Sequence, residues 1–173
     1  DGLLSRPESL QIRHLSYDIY VHPNSDPGCY NECHEFLRPL QSQYEYALVV
    51  FDLEGSGGES DGREAVEREM KQRVERAGWS GRVEVIAIDP ELEVWVWSDS
   101  PEVDRCLGWT GRLEGLRQWL VDNGFLHPED PKPERPKEAM EAALEEVKTP
   151  LSSSIFQDLA ESVSVNRCTD NSF

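Results

Sequence analysis

The stretch ALVVFDLEGSGG, residues 47–58, is an apolar run of strand length that ends abruptly in acidic residues and then in glycines. A second run, VEVIAIDPELEVW at residues 83–95, repeats the pattern, with Glu91 and Glu93 following its apolar part. Continuous apolar runs of this length are typical of parallel strands that are covered on both faces. The carboxyl ends of such strands form the ligand crevice of an open α/β sheet, so both acidic groups are expected there.

Segments of helical periodicity follow and separate these two strands. The clearest is residues 61–77, where Val66, Met70 and Val74 recur on one side and Gly78 follows as a C-terminal cap. A further strand is predicted over residues 16–22. Further helices are predicted over residues 29–37, 91–98, 112–123, 137–147 and 153–163. This alternation predicts an α/β protein with a Rossmann-like, mostly parallel sheet flanked by helices.

A proline-rich connector, HPEDPKPERP at residues 127–136, separates two parts of the chain. Residues 1–126 are predicted to form the α/β core, and residues 127–173 to form the connector and a C-terminal helical extension packed on that core. The first residues have the pattern of a helix end running into a turn. The opening strand of the sheet is therefore expected to lie upstream of this sequence.

The charge and the cysteines restrict the classes of function. The chain has 34 acidic and 17 basic residues, for a formal charge of −17. Such a surface repels phosphates, so we expect any nucleic-acid binding to be local or assisted by a partner. No apolar run approaches the roughly 20 residues that span a bilayer, so no membrane association is expected. The four cysteines form no paired framework, which favours a reducing cytoplasm.

The acidic pair after the first strand is the strongest candidate for a metal site. Asp52 and Glu54 lie on one side if the strand geometry continues, and two such carboxylates repel unless a cation or a proton lies between them. Mg²⁺ takes oxygen ligands, and Gly55 and Gly57 permit close approach of a ligand. The alternative is a solvated loop in an acidic protein. Glu91 and Glu93 are candidate metal ligands only because they follow the next predicted strand.

Two further clusters have alternative interpretations. In KPERPK, residues 132–137, Arg135 and Lys137 could clamp a phosphate at a helix start, or could pair with neighbouring glutamates. Cys29, Cys33 and His34 have a spacing that permits zinc binding, but no second half of a zinc site follows. Buried cysteines on one helix face are the favoured interpretation of that spacing.

Several stretches together resemble the TOPRIM-like small component of the bacterial methylation-associated anti-phage defence system, and more distantly the TOPRIM domains of overcoming-lysogenization-defect nucleases. The resemblance is carried by FDLEGSG, IDPELEVWVWSDSPEV, DIYVHPNSDPG, LGW, KPERPKEAMEAAL and SSSIFQDLAESVSVNRCTDNSF. It implies a TOPRIM-like sheet with a divalent-metal site. Asp52 and Glu54 take the place of the family's Asp-x-Asp pair, and Glu93 matches a glutamate on the helix after the next strand. The family's opening glutamate has no counterpart here.

Two functions from different classes remain open at this point. In the first, Asp52, Glu54 and Glu93 hold Mg²⁺ or Mn²⁺ in a metal-dependent nuclease, Glu91 is an outer ligand, and Lys137 or Arg135 neutralises charge on the phosphate. In the second, the chain is a non-catalytic assembly or sensor subunit of a defence complex, and its acidic surface binds a protein partner or mimics DNA. The other subunits of that complex are the expected partners in both cases.

Overall fold

The computed structural model describes residues 15–163 and residue 170. Contacts between Cα atoms divide them into two compact units. The sheet unit comprises residues 18–91, and the helical unit comprises the described residues 15–17, 92–163 and 170. The predicted boundary between residues 126 and 127 stays a prediction, and the compact units divide at a different point. The predicted helix end near the start of the chain lies outside the described residues.

The sheet unit is an α/β arrangement of two strands and two helices. Strand β1, Ala47–Asp52, pairs in parallel with strand β2, Val83–Ile88, in a register that runs from Ala47 opposite Val83 to Asp52 opposite Ile88. Helix α1 is Ser25–Leu37 and helix α2 is Arg63–Val74. Shorter helical turns occupy Arg38–Leu40, Glu59–Asp61 and Glu75–Trp79. The α/β class and the parallel pairing are confirmed.

One face of this sheet forms the core of the unit. Both helices pack on that face, because Cys33 of α1 and Val66, Met70 and Val74 of α2 join one buried cluster with the inward side chains of the strands. Those inward side chains are Val49, Phe51, Val83, Val85 and Ala87, and Leu53 continues the row beyond β1. Alternate residues of a strand point to opposite faces, so this set fixes which face is inner.

The other face of the sheet is open over β1. The Leu48 and Val50 side chains are 62% and 42% exposed, although they belong to the apolar run that the sequence analysis expected to be covered on both faces. That expectation is wrong for β1, because both helices of the unit pack on the inner face. The predicted strand over residues 16–22 is also wrong. Its residues form no regular secondary structure, and all of them except His22 are exposed.

A tight turn connects α2 to β2. Gly78 has φ of 113°, which an L side chain rarely adopts, and a Cβ atom there would lie 1.8 Å from Gln41 Oε1. Trp79 is buried beside it, and its Nε1 donates to Leu37 O at 3.1 Å. The Arg82 guanidinium stacks 5.0 Å from the Trp79 ring. The predicted glycine cap therefore lies in a turn that positions the start of β2.

The helical unit has four helices around a continuous apolar core. They are α3, Pro101–Cys106; α4, Leu116–Asp122; α5, Pro136–Glu146; and α6, Ser153–Ser162. Trp97 and Trp109 are buried in this core, and each donates its indole N–H to a carbonyl of α5, at Pro136 and Ala143. Helix α3 is absent from the sequence predictions, and the helix predicted over residues 91–98 is only a short 3₁₀ turn, Leu92–Trp95. No helix among the described residues has the length and apolar character that a bilayer span requires.

Candidate metal site and basic cluster

The carboxyl end of β1 places Asp52 at the last residue of the strand and Glu54 in the turn that follows. The Leu53 N–H donates to Ile88 O at 2.8 Å, which continues the pairing with β2 for one residue. The Glu54 N–H then donates to Pro90 O at 2.9 Å, so consecutive amides turn toward the same neighbour and strand geometry ends. The sequence analysis placed Asp52 and Glu54 on one side only if strand geometry continued through Glu54, and it does not continue. Asp52 is half-buried and Glu54 is exposed.

Asp26 is a residue at this edge of the sheet that the sequence analysis missed. Its Oδ1 accepts the Asp52 backbone N–H at 3.2 Å, so a second carboxylate from the first turn of α1 reaches the end of β1. The surrounding NSDPG letters are typical of a turn, and the helix was predicted to begin only at Cys29. An acidic residue directly after Ser25 fits the first turn of a helix, where its charge is stabilised by the helix dipole. That signal was available in the sequence.

The glycine loop after β1 already uses some of its own amides. Gly55 and Gly57 have φ of 81° and 93°, and nothing lies within 4 Å of a Cβ atom built on either residue. The Gly57 N–H donates to Glu59 Oε1 at 3.3 Å, and the Gly58 N–H donates to Ser56 Oγ at 3.1 Å. Hydrogen bonds from backbone N–H groups of Glu59 itself and of Gly57 lower the pKa of the Glu59 carboxyl. Space for a ligand is present at the glycines, while these two loop amides bond to side chains of the loop.

Glu91 and Glu93 lie in different compact units. Glu91 is half-buried at the end of the sheet unit. Glu93 lies in the 3₁₀ turn Leu92–Trp95, which packs against α5 in the helical unit, and only 8% of it is exposed. Within the described part of the chain, the Glu93 carboxylate has no hydrogen-bond or ion-pair partner.

The cations of the basic cluster have partners within the chain. The Arg135 guanidinium at the N-cap of α5 forms an ion pair with Glu138, which is one of the neighbouring glutamates of the alternative interpretation. The Lys132 ammonium lies 3.1 Å from Asp170 Oδ2, and the two side chains are only 14% and 13% exposed. Lys137 is exposed in the first turn of α5. These pairings reduce the positive charge that the cluster can offer to a phosphate.

The cysteine pair has the character of packed side chains. Cys33 is buried in the core of the sheet unit, and burial raises the pKa of its thiol to about 11. Burial is also the largest of the causes that raise the pKa of the Cys29 thiol. Because a thiolate is the form that binds zinc, these shifts favour the buried-cysteine interpretation.

No three His, Cys, Asp or Glu side chains within residues 15–163 and 170 are grouped so that they could hold a metal ion. A centre built from Asp52, Glu54 and Glu93 therefore stays a prediction. Asp52 and Asp26 bring carboxylates to the end of β1, and carboxylate oxygens are the donors that Mg²⁺ and Mn²⁺ prefer.

Comparison of the chain with models of protein families, with curated proteins and with solved structures found no match.

Proposed function

We propose that the chain is a TOPRIM-like component of a bacterial anti-phage defence system, and that it binds Mg²⁺ or Mn²⁺ at the carboxyl end of β1. The observation that carries this proposal is the position of Asp52, which ends a strand in parallel pairing and is followed by Glu54 in an open, glycine-rich turn. Ligands of open α/β sheets bind at this end of the strands. A complete Rossmann-like sheet belongs to the proposal, as does the defence context, which rests on the resemblance of the quoted motifs.

In the proposed phosphodiester cleavage, these residues bind the metal ion or the phosphate. Asp52 and Glu54 would hold the cation, Glu93 would be a further ligand, and Glu91 would be an outer ligand. A bound divalent cation stabilises negative charge on the phosphate oxygens during cleavage. Lys137 or Arg135 would neutralise the remaining charge on the phosphate. Because the formal charge is −17, delivery of nucleic acid requires a DNA-binding partner.

Glu93 enters the proposal through the resemblance, which matches it to a glutamate that follows the next strand. Replacement of Glu93 by Gln tests that role separately from the role of Asp52.

Calorimetric titration with Mn²⁺ tests the metal site. We expect saturable binding that Asp52→Asn and Glu54→Gln each weaken by about tenfold or more, which corresponds to about 1.4 kcal/mol. Glu141→Gln removes an exposed carboxylate from α5 and is the matched control, because general attraction of cations to the acidic surface would be reduced equally by all three substitutions. Binding that all three variants leave unchanged would contradict the proposal. Mn²⁺-dependent nicking of supercoiled plasmid then tests whether the bound metal supports cleavage.

The second candidate is the non-catalytic assembly subunit, and a different observation favours it. Parallel sheets are almost always covered on both faces, whereas the outer face of β1 exposes Leu48 and Val50. An apolar patch that is exposed in this way marks an interaction site. In this candidate the chain binds a protein partner through this surface and catalyses no reaction, so the supercoiled plasmid is not nicked.

A further inference from the structure

The two outer edges of the sheet differ in how their backbone groups are satisfied. In a parallel pair, alternate residues of one strand bond to the neighbouring strand and the others point away from it. The N–H groups of Ala47 and Leu53 donate to Arg82 O and Ile88 O, at 2.9 Å and 2.8 Å. By this alternation, the N–H groups of Leu48, Val50 and Asp52 point to the free edge of β1.

The free edge of β2 is protected by side chains of α2. The Ala87 N–H donates to Glu67 Oε1 at 3.0 Å, and Lys71 Nζ lies 2.6 Å from Glu84 Oε1. Glu67 thus supplies a hydrogen-bond acceptor and Lys71 a cation to the edge of β2, whose backbone groups could otherwise pair with a strand of another chain. Such side-chain protection is a known means by which proteins prevent unwanted strand pairing.

Among residues 15–163 and 170, the free edge of β1 has this protection only at its carboxyl end, where Asp26 accepts the Asp52 N–H. The N–H groups of Leu48 and Val50 have no hydrogen-bond partner in the described part of the chain. The strand has no proline and no charged residue before Asp52, and its outward side chains Leu48 and Val50 are exposed. Apolar side chains and unpaired amides therefore occur together on one strand.

We propose that an extended segment of a partner protein adds to the free edge of β1, with alternating apolar side chains and a lysine or arginine beside Asp52. Main-chain hydrogen bonds to Leu48 and Val50 supply the pairing, and contacts with the outward side chains supply selectivity. This inference deepens the assembly-subunit candidate and does not depend on metal binding.

Charge decides the class of occupant. The half-buried Asp52 ends the outer row of β1, and the exposed Glu54 follows it, so the carboxyl end of the strand is acidic. A second copy of the chain would bring the same acidic end and another formal charge of −17 to the interface, which opposes self-pairing. A segment that carries Lys or Arg at one end complements both the apolar row and the acidic end.

Amide hydrogen exchange with a defined probe tests the proposal on the whole chain. The probe is an amidated Thr-Val-Thr-Val-Lys-Lys peptide, compared with the same peptide ending in Glu-Glu and with the basic peptide N-methylated at every backbone amide. We expect the Leu48 and Val50 amides to exchange quickly in the free protein and to be protected by the basic peptide only. The acidic and N-methylated peptides should bind about tenfold more weakly or worse.

Two substitutions make the test specific to the strand. Leu48→Lys should weaken binding of the basic peptide by about tenfold, because it places a cation in the row that accepts the apolar side chains. Leu113→Lys changes a fully exposed leucine of the helical unit and is the matched control, which should leave binding unchanged. Both sites are exposed, so folding is retained in both variants.

Equal binding of the basic and acidic peptides, or binding that Leu48→Lys leaves unchanged, would overturn the proposal. A concentration-dependent dimer that Leu48→Lys disrupts would also overturn it, because the occupant would then be a second copy. Loss of peptide binding with Mn²⁺ binding retained would remove this inference and leave the metal site standing. Loss of Mn²⁺ binding with peptide protection retained would remove the proposed metal site and leave this inference standing.

Discussion

The two compact units differ in where their apolar side chains lie. The helical unit has a continuous buried core, with Trp109, Leu120 and Leu144 almost fully buried, and its exposed apolar side chains Leu113 and Leu151 lie outside its helices. The sheet unit buries Val49 and Phe51 on the inner face and leaves their neighbours on β1 exposed. In the sheet unit the exposed side chains of Leu48 and Val50 share one strand, and the proposed addition of a partner strand rests on that arrangement.

Adjacent residues of β1 give the largest expected contrast in stability. Phe51→Ala removes a ring that is 3% exposed in the core of the sheet unit, and we expect the free energy of unfolding to fall by about 3–5 kcal/mol. Val50→Ala on the outer face should lower it by less than about 1 kcal/mol. Urea unfolding monitored by circular dichroism measures both values. Equal losses would show that the outer face is covered in solution and would break the contrast between the two faces.

The turn before β2 gives the next largest effect. Gly78→Ala should lower the free energy of unfolding by about 1–2 kcal/mol, because φ of 113° is strained for an L residue. Adding Gln41→Ala removes the side-chain atom 1.8 Å from the new Cβ position and separates steric crowding from backbone strain. We expect the double variant to recover little of the loss. Full recovery in thermal unfolding would assign the cost to Gln41 instead.

The buried thiol of Cys33 should make the free energy of unfolding depend on pH. Burial raises the pKa of its thiol to about 11, above the unfolded value near 9, so the folded state favours the protonated thiol. The stabilisation is fully present below pH 9 and is lost as the pH rises toward 11. Cys33→Ala should flatten the dependence of the free energy of unfolding on pH in this window.

A thiol-specific reagent at pH 8 should modify Cys33 far more slowly than Cys106, which is only half-buried. Equal rates would contradict the buried environment of Cys33.

The smallest effect concerns the protected edge. Lys71→Gln breaks the contact with Glu84, and because both side chains are well exposed we expect only a small loss of stability, which added salt diminishes. The N–H of Ala87 keeps its acceptor on Glu67 and should stay protected from exchange. Rapid exchange at Ala87 in this variant would show that the cation is essential to the protection of β2. The two edges would then be more alike than the present contacts indicate.

The sequence predicted the two paired strands and helices α2, α5 and α6 well because their signals are local, whereas the strand predicted over residues 16–22 does not form. The strands predicted at 46–51 and 82–88 and the repeat of Val66, Met70 and Val74 all fall within one residue or one turn of the observed elements. The exposure of β1 could not be predicted in this way. An apolar run is the same whether one or both faces are covered, and coverage depends on how distant helices pack.

The candidate site shows the same limit. That Asp52 lies at the end of a strand could be predicted from the sequence, but the turn at Glu54 depends on a hydrogen bond to Pro90, which is distant along the chain. The contact of Asp26 with the Asp52 amide likewise joins residues that are far apart in sequence. Pairing of Arg135 with Glu138 was one of two alternatives, because neighbouring charges on a helix start can pair or bind a ligand.

Paramagnetic broadening by Mn²⁺ in amide NMR spectra tests the central claim most directly, because it reports where the cation binds. At substoichiometric Mn²⁺ we expect selective loss of the signals of Asp26, Asp52, Glu54 and Gly55, which surround the end of β1. Asp52→Asn should abolish this selectivity, and the signal of Glu141 should persist in both proteins. Uniform broadening over acidic residues, with the Asp52 signal no more affected than that of Glu141, would contradict a metal site at the end of β1.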